Sequence, residues 1–263
     1  MKRHLLLVFN SILVFACLLG LWQIAVLVLH VPKYMLPGPW IVAMAVKDRF
    51  PELTQSLLIT TEAAALGLVS SILVGVAVAL VFAQWRWLRQ LLFPYTILLQ
   101  TVPIVAIAPL IIMWAGTGVY SVALIAFIIC LAPIIANTTQ GLISVDENLV
   151  HLFLMHNATA AQILFKLRLP HAMPNFFVGI RISAGIAVIG AIIGELFAGS
   201  SRVGEGGLGY SILYAGNQLE TDYLFALVFA ATVLGFVFFF TGMFLEWYFL
   251  HNWHESSRSE IPE

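Results

Sequence analysis

Long apolar runs separated by shorter polar segments dominate this chain. Six runs have the length of membrane-spanning helices, which need about 20 apolar residues to cross the hydrocarbon core. They cover roughly residues 5–29, 56–83, 88–115, 117–141, 175–199 and 223–249. The pattern predicts an all-α, polytopic membrane protein with about six spans, forming a single transmembrane domain over residues 1–263.

Prolines interrupt the third and fourth runs, at Pro103, Pro109 and Pro133. A proline inside a helix leaves a carbonyl without its donor, which membrane proteins tolerate when neighbouring helices compensate. We therefore expect these two spans to be bent and buried, close to a pathway.

Composition supports the membrane assignment. Only 10% of the 263 residues are charged and 61% are hydrophobic, whereas soluble domains carry about 25% charged residues. The net charge of −1 gives no indication of a nucleic-acid partner. The length leaves no room for a separate catalytic domain.

The chain lacks the residue sets that catalysis or metal binding would need. Cys17 and Cys130 both lie in apolar runs, which predicts small buried hydrophobic residues rather than a disulfide. None of the seven histidines completes an H-E-x-x-H pattern, and no G-x-x-x-x-G-K-S/T loop occurs. We expect no catalytic residue, no metal and no bound cofactor, so any ATP and Mg would be held by a partner.

The distribution of lysine and arginine predicts the orientation, because cytoplasmic loops carry an excess of both. With the N-terminus in the cytoplasm, that side collects Lys2, Arg3, Arg86, Arg89, Lys166, Arg168 and Arg258. The opposite side collects Lys33, Lys47, Arg49 and Arg202. Six spans then place both termini in the cytoplasm.

A glycine-rich segment, residues 199–222, falls on the outer side in this scheme. It contains Gly204, Gly206, Gly207 and Gly209, followed by a short helical pattern over residues 210–216. A phosphate-binding loop is disfavoured, since no strand precedes the glycines and no Lys-Ser/Thr follows them. We expect an outer loop that leads into a partly embedded helix.

Four charged residues lie inside or at the edge of predicted spans. Such charges cost roughly 2.5–3.5 kcal/mol at the membrane centre, so each needs a partner or water. Glu62 and Glu195, with the polar break at Gln100, Thr101 and Pro103, are candidates for lining a translocation path. Hydrogen bonding between helices, or for the glutamates an interfacial position, remains an equal alternative.

The other two charges have simpler interpretations. Arg181 is expected to extend its side chain to the cytoplasmic edge. Glu246, beside Trp247 and Tyr248, is expected to anchor the last span at the interface.

A polar arm of about thirty residues, 145–174, interrupts the apolar pattern. Asp146 favours a helix start, and apolar residues then recur at helical spacing up to Asn157, a residue that tolerates the conformation ending a helix. A second helix is predicted from about Thr159 to Arg168, stopped by Pro170. This helix-turn-helix either lies on the bilayer surface or offers its apolar face to a cytosolic protein.

The arm resembles the coupling segment, or EAA loop, of permease subunits of binding-protein-dependent ABC importers. That pattern is Glu-Ala-Ala, three residues, Gly, nine residues and Ile-x-Leu-Pro. Leu169-Pro170 fits its end, whereas His151-Leu152-Phe153 and Asn157 replace Glu-Ala-Ala and Gly. The resemblance implies ATPase coupling through Asp146, His151, Phe153, Asn157, Ala158, Thr159, Lys166, Arg168, Leu169 and Pro170.

Further motifs, in the same order, resemble the nitrate/taurine-type permeases. They include Leu36-Pro37-x-Pro39, Gln100-Thr101-Val102-Pro103, Gly194-Glu195, Gly207-Leu208-Gly209-Tyr210 and Trp253-His254-Glu255-Ser256. The nearest resemblance is to permeases for thiamine-pyrimidine precursors or riboflavin; nitrate, bicarbonate and sulfonate permeases share the frame.

This resemblance implies a type I importer permease in a bacterial plasma (inner) membrane. It also implies a second permease copy, commonly identical, two cytosolic ABC ATPases and an extracytoplasmic substrate-binding protein. The mechanism would be alternating access, with no covalent chemistry on this chain. The alternative hypothesis is a secondary transporter or channel that works without an ATPase.

Overall fold

The structure is a computed structural model and describes residues 2–198 and 206–251. Across these two ranges the chain forms helices joined by short turns, with no strand. Arg202, Gly204, Arg258 and the motif at residues 253–256 lie outside the described residues.

The first three helices are α1 (Lys2–Val28), α2 (Pro39–Asp48) and α3 (Phe50–Gln84). Pro39 begins α2 because its fixed φ suits the first helical position and its missing N–H costs nothing there. The 35 residues of α3 span about 52 Å at 1.5 Å per residue. This helix therefore extends beyond a hydrocarbon core of about 30 Å.

The third predicted span is one broken helix pair rather than one rod. Helices α4 (Arg86–Thr101) and α5 (Ile104–Ala115) meet at an angle of 98°. Pro103 explains the break, since a proline disfavours helical geometry in the residue before it and Val102 is extended. The bend at Pro103 is confirmed, but the expected burial is wrong for Pro103 and Pro109, which are both exposed.

Helices α6 (Val119–Ile143), α9 (Leu169–Ala198) and α11 (Thr221–Leu250) complete the bundle with α3. Both α3 and α9 pack tightly against α6 at Ala126: a Cβ at Gly67 would stand 2.6 Å from the Ala126 Cβ, and one at Gly190 2.9 Å from its Cα. Small residues allow this close approach of helix backbones in a membrane. Pro133 is accommodated within α6 without a break.

The arm contains α7 (Glu147–Met155) and α8 (Ala160–Ile163), followed by a π-helical turn, Leu164–Arg168. The prediction that a helix ends near Arg168 is wrong, because helical structure continues from α8 into α9. In the π turn the N–H of Leu169 bonds to the carbonyl of Leu164, which shifts the hydrogen-bond register. Pro170 then occupies the first turn of α9, where a missing N–H is tolerated.

Among the described residues, four helices are long and apolar enough to cross a membrane, and the count rises to five if the bent α4–α5 pair is taken as one span. Helix α1 has 27 residues, with a described apolar part at Ala16–Val28. Together these agree with about six predicted spans. Cys130 is buried as expected, whereas Cys17 is exposed on α1, so its predicted burial is wrong.

The bundle has two distinguishable ends. The arm end carries α7 and α8. The far end carries α10 (Leu208–Asn217), the short helix that the sequence predicted after its glycine-rich segment.

Candidate functional site

The arm begins with a local helix cap. The Asp146 carboxylate accepts a hydrogen bond of 2.8 Å from the backbone N–H of Asn148 at the start of α7. An aspartate in this position satisfies one of the donors that every helix start leaves open. The predicted helix start at Asp146 is confirmed.

The turn of the arm is a Schellman motif centred on Asn157. Asn157 adopts a φ of 55°, and its N–H bonds to the Leu154 carbonyl at 2.9 Å. The N–H of Ala158 bonds back to the Phe153 carbonyl at 3.0 Å. This pair of bonds closes α7, and it needs a residue that accepts the left-handed conformation. Asn157 thus provides the conformation for which the resembling pattern has glycine.

The second arm helix begins with a capping box. The Thr159 hydroxyl accepts from the N–H of Gln162 at 3.3 Å, and the Gln162 side chain accepts from the N–H of Thr159 at 2.8 Å. Each residue satisfies a donor of the other. The shape of the arm is therefore specified by bonds between residues only two to five positions apart.

The arm surface is apolar where it is most exposed. Met155 is 80% exposed, Phe165 64% and Leu152 49%, while Phe153 and Ala158 are half-buried. His151 and Lys166 are exposed. Exposed apolar surface rimmed by polar groups is typical of protein or membrane contact sites.

A hydrogen bond from Arg168 joins the arm to the bundle. The Arg168 guanidinium donates a hydrogen bond of 3.0 Å to the Ala83 carbonyl in the last turn of α3. A cation there also complements the negative end of the α3 dipole. The arm is thus connected to α3 as well as to α6 and α9.

At the far end, Glu195 joins two membrane helices to α10. Only 4% of Glu195 is exposed. Its Oε2 accepts from the Thr60 hydroxyl of α3 at 2.9 Å and from the N–H of Gly209 at 2.8 Å. The sequence left open whether Glu195 lines a translocation path or bonds to a neighbouring helix. The hydrogen bond to a neighbouring helix is present.

Thr60 continues this network to the neighbouring N–H. Its hydroxyl accepts a bond of 2.8 Å from the N–H of Leu208. One turn away, Ser56 and Ser211 share a hydrogen bond of 2.8 Å. Three side chains from outside α10 therefore fasten its first turn, satisfying donors that would otherwise be buried without partners.

A small cavity of about 90 Å³ adjoins Glu195. Its remaining lining is apolar, glycine or Tyr210, from the starts of α6 and α10 and from α3. Within the described ranges, Oε1 of Glu195 is buried and has no hydrogen-bond partner. This cavity and the Thr60–Glu195 pair are hereafter the far-end site.

An ion cluster lies beside the far-end site. Arg49, just before α3, pairs with Glu52 and with Glu220, which precedes α11. Its guanidinium also lies 3.8 Å from the ring centroid of Tyr223, a cation–π contact. Desolvation opposes the charge of Arg49, yet the hydrogen bonds that its guanidinium donates to Glu52 and Glu220 leave its pKa raised. Sequence analysis missed this cluster, whose members are up to 171 positions apart.

Glu62 does not meet Glu195. Two positions along a helix correspond to about 200° of rotation, so Glu62 points away from the face that carries Thr60. Glu62 is exposed in a stripe with Leu58, Leu66 and Val69, which are 65%, 42% and 55% exposed. The two predicted path glutamates therefore lie on opposite sides of α3: Glu62 is on the exposed face of this helix, and Glu195 of α9 contacts the face that carries Thr60.

Gln100, Thr101 and Pro103 are exposed at the α4–α5 bend. The Thr101 hydroxyl bonds to the Leu98 carbonyl of its own helix at 2.9 Å. Gln100 lines a mostly apolar cavity of about 270 Å³ between the bend, α6 and α9. These residues lie apart from the far-end site, so the candidate path residues form separate groups in the single chain.

Arg181 and Glu246 form an ion pair that the sequence did not reveal. The Arg181 guanidinium lies 2.8 Å from Oε2 of Glu246 and joins α9 to α11. The pairing is an addition to the sequence interpretation, and the expected interfacial positions of the two residues stay predictions. Pairing lowers the cost of keeping both charges in membrane helices.

A family model supports the importer resemblance. The model described as "Binding-protein-dependent transport system inner membrane component" matches residues 71–249. This match covers more than half of the chain and includes the arm.

Curated relatives match the sequence of this chain over most of their length. A "Probable ABC transporter permease protein" of Haemophilus influenzae is 32% identical over 226 residues, covering 86% of this chain and 89% of that protein. "Formylaminopyrimidine transport permease protein ThiX" of Halalkalibacterium halodurans is 30% identical, with the same coverages. "Riboflavin transport system permease protein RibX" of Chloroflexus aurantiacus is 35% identical, covering 73% of this chain and 71% of that protein.

A solved structure supports the fold. A chain from inward-facing conformations of the MetNI methionine ABC transporter superposes with a TM-score of 0.58 at 18% identity, covering 75% of this chain and 94% of that chain. The chain described here therefore belongs to the inner-membrane components of binding-protein-dependent transport systems, as a multi-pass permease subunit of an ABC importer.

Proposed function

We propose that this permease subunit forms the path of a small solute and receives the movement of ATPase subunits through its arm, Asp146 to Pro170. The observation that carries the proposal is the capped helix-turn-helix with its exposed apolar residues. Its ends continue into the central helices α6 and α9. A force on the arm would therefore act on the helices at the centre of the bundle.

The coupling contacts are proposed to come from the arm residues that match the family pattern. His151 and Lys166 are exposed for contact, while Asp146, Asn157 and Thr159 hold the two arm helices in shape. Arg168 would pass movement to α3 through its bond to Ala83. Phe153, Ala158, Leu169 and Pro170 complete the proposed coupling set.

The partners follow from the family and from this arm. The family description names a binding-protein-dependent transport system, and this supports ATPases and a binding protein as partners of the permease. We assign the arm to the cytoplasm, where ATP is available, and both termini to the same side because α1 begins and α11 ends at the arm end. A second copy of this chain is the proposed other permease, and ATP and Mg would be held by the ATPases. The chain itself performs no covalent chemistry.

The translocation path is proposed to include Glu62, Gln100, Thr101, Pro103 and Glu195. Glu62 is exposed among apolar residues of a spanning helix, where contact with lipid would be costly. Gln100 contributes a polar group to a cavity between helices. We infer that water or a second permease copy covers these groups, and that helix movements expose the path alternately to each side.

A thiamine-pyrimidine precursor or a riboflavin-like solute is the proposed cargo. The names of two relatives at 30% and 35% identity support this assignment. Relatives named for aliphatic sulfonates, taurine and choline match as well, so the names of the relatives do not agree on one cargo.

Reconstitution tests the function directly. The chain, its ATPase and its binding protein are placed in proteoliposomes, and solute uptake is measured with ATP or with an imposed ion gradient. We expect uptake only with ATP and only when the ATPase and binding protein are present. Uptake driven by an ion gradient without the ATPase would contradict the proposal and support a secondary transporter.

A further inference from the structure

The far-end site contains a carboxylate oxygen without a hydrogen-bond partner. Glu195 is 4% exposed, and Oε2 makes both of its described bonds, to Thr60 and Gly209. Within residues 2–198 and 206–251, Oε1 has no partner. An ionised carboxylate only accepts hydrogen bonds, so a group that satisfied Oε1 in the ionised form of Glu195 would be a donor.

The surroundings of Oε1 favour a positively charged or N–H-bearing group. Among the described lining residues of the cavity none is basic, and Tyr210 is the one polar side chain besides Glu195. An anion would meet a buried carboxylate with no cation to offset the repulsion. An amine or amino group would instead form a charge-assisted hydrogen bond.

Gly206 and Gly207, just before α10, line this site without a side chain. A Cβ on Gly207 would overlap the Glu195 carboxylate, with Oε1 as its nearest atom. Gly207 thus allows backbone to lie directly against this oxygen, with no side chain between. Oε1 is covered in this conformation, so an entering group requires the Gly206–Gly207 segment to move.

The size of the cavity limits what enters it. Its volume of about 90 Å³ exceeds the roughly 30 Å³ that one water occupies in the liquid, and it suits an amino group rather than a whole heterocycle. The site also lies at the far end, near the end of α9 and beside the start of α10. A solute would therefore insert a protruding donor group while the rest of it remained outside the cavity.

We propose that Oε1 of Glu195 binds an N–H donor group of the transported solute at the far end of the path, and that the cargo belongs to the amino-bearing class rather than to the purely anionic one. This inference rests on the proposed function. Formation of this bond and displacement of the Gly206–Gly207 segment would occur together.

A conservative substitution separates this role from helix capping. In Glu195→Gln the amide oxygen must face the N–H of Gly209, which can only donate, so both bonds of Oε2 are retained. The amide NH₂ then replaces Oε1, changing an acceptor into a donor. A pure capping role tolerates this change, whereas binding of an N–H donor does not.

The probe for the test is 4-aminopyrimidine, with methanesulfonate as the anionic comparison. Binding to the full-length chain in detergent is followed by calorimetry and by the infrared carboxylate stretch. We expect saturable binding of 4-aminopyrimidine with a shift of a carboxylate band in the wild type. Glu195→Gln should lose the shift and weaken binding at least tenfold, while methanesulfonate should produce no shift.

Several results would overturn the inference. They are equal 4-aminopyrimidine affinity in the wild type and Glu195→Gln, stronger binding of methanesulfonate, or no carboxylate shift in the wild type. These binding measurements need no ATPase, so their failure is distinguishable from a failure of ATP-driven uptake.

Discussion

The two ends of this permease are built in opposite ways. The arm is shaped by hydrogen bonds between near neighbours, such as Thr159 with Gln162, and it exposes apolar side chains. The far-end site is shaped by bonds between distant residues, such as Thr60 with Glu195, 135 positions apart, and it is buried. A locally specified arm can move as a unit, whereas the far-end site depends on the relative position of three helices.

This contrast suggests a division of roles. Movement of the arm would preserve its internal bonds and change the positions of α6 and α9. Any shift of α9 relative to α3 would instead strain the bonds from Glu195 to Thr60 and to the start of α10. This strain is consistent with the proposal that the far-end site belongs to the translocation path.

The largest expected effect is at Asn157. Asn157→Val places a β-branched residue at a φ of 55°, which costs about 1–2 kcal/mol in the left-handed conformation and displaces the two arm helices. Uptake and ATPase stimulation in proteoliposomes should each fall roughly tenfold, by the relation of 1.4 kcal/mol to a factor of ten. Asn157→Gly is the matched control and should retain activity; equal losses in both variants would refute a conformational role.

For folding stability, as distinct from uptake, the largest expected effect is that of Thr60→Val at the far-end site. This change removes the donor to Oε2 of Glu195 and the acceptor for the N–H of Leu208. Leaving buried polar groups unpaired costs about 1–3 kcal/mol each. Thermal unfolding in detergent should show this destabilisation, and Thr60→Ser should restore most of the stability because it retains the hydroxyl.

A smaller loss is expected for Gly207→Ala. The added Cβ would overlap the Glu195 carboxylate. Overpacking typically costs about 1–3 kcal/mol. Movement of the segment before α10 would relieve part of this cost. Gly216→Ala, near the end of α10, is the matched control, since its Cβ would meet only the end of Leu224 at 3.4 Å. Equal thermal stability of the two variants would contradict a closely packed far-end site.

The smallest effect belongs to Arg49→Gln. The ion pairs of Arg49 are exposed, with side-chain exposures of 30% for Arg49, 53% for Glu52 and 41% for Glu220. Exposed pairs contribute roughly 0–1 kcal/mol and are screened by salt. Unfolding measured at low and high salt should therefore differ little from the wild type; a large loss would show that this cluster, rather than Thr60 and Glu195, fastens the far end.

The same contrast explains what the sequence could predict. Asp146, Asn157 and Thr159 were identifiable because caps and turns depend on residue type within a few positions. The approximate spans were identifiable from length and hydropathy. The end of the second arm helix was predicted wrongly, because a local rule for Pro170 does not anticipate the π turn that accommodates it.

Long-range pairs were beyond the sequence pattern. Glu195 was singled out as a costly charge, but its partner Thr60 carries no mark that distinguishes it from Thr61. Arg181 and Glu246 were each assigned to an interface, although they bond to one another across α9 and α11. A single sequence gives the cost of a buried charge without showing which distant group compensates it.

The most direct test of the central claim removes the arm and leaves the far end unchanged. Residues 147–162 are replaced by a short Gly-Ser linker, and thermal unfolding verifies that the remaining helices are folded. ATPase co-purification and ATP-driven uptake are then measured in the same preparation. Loss of both is the predicted result, and normal uptake by the variant without its arm would contradict the account.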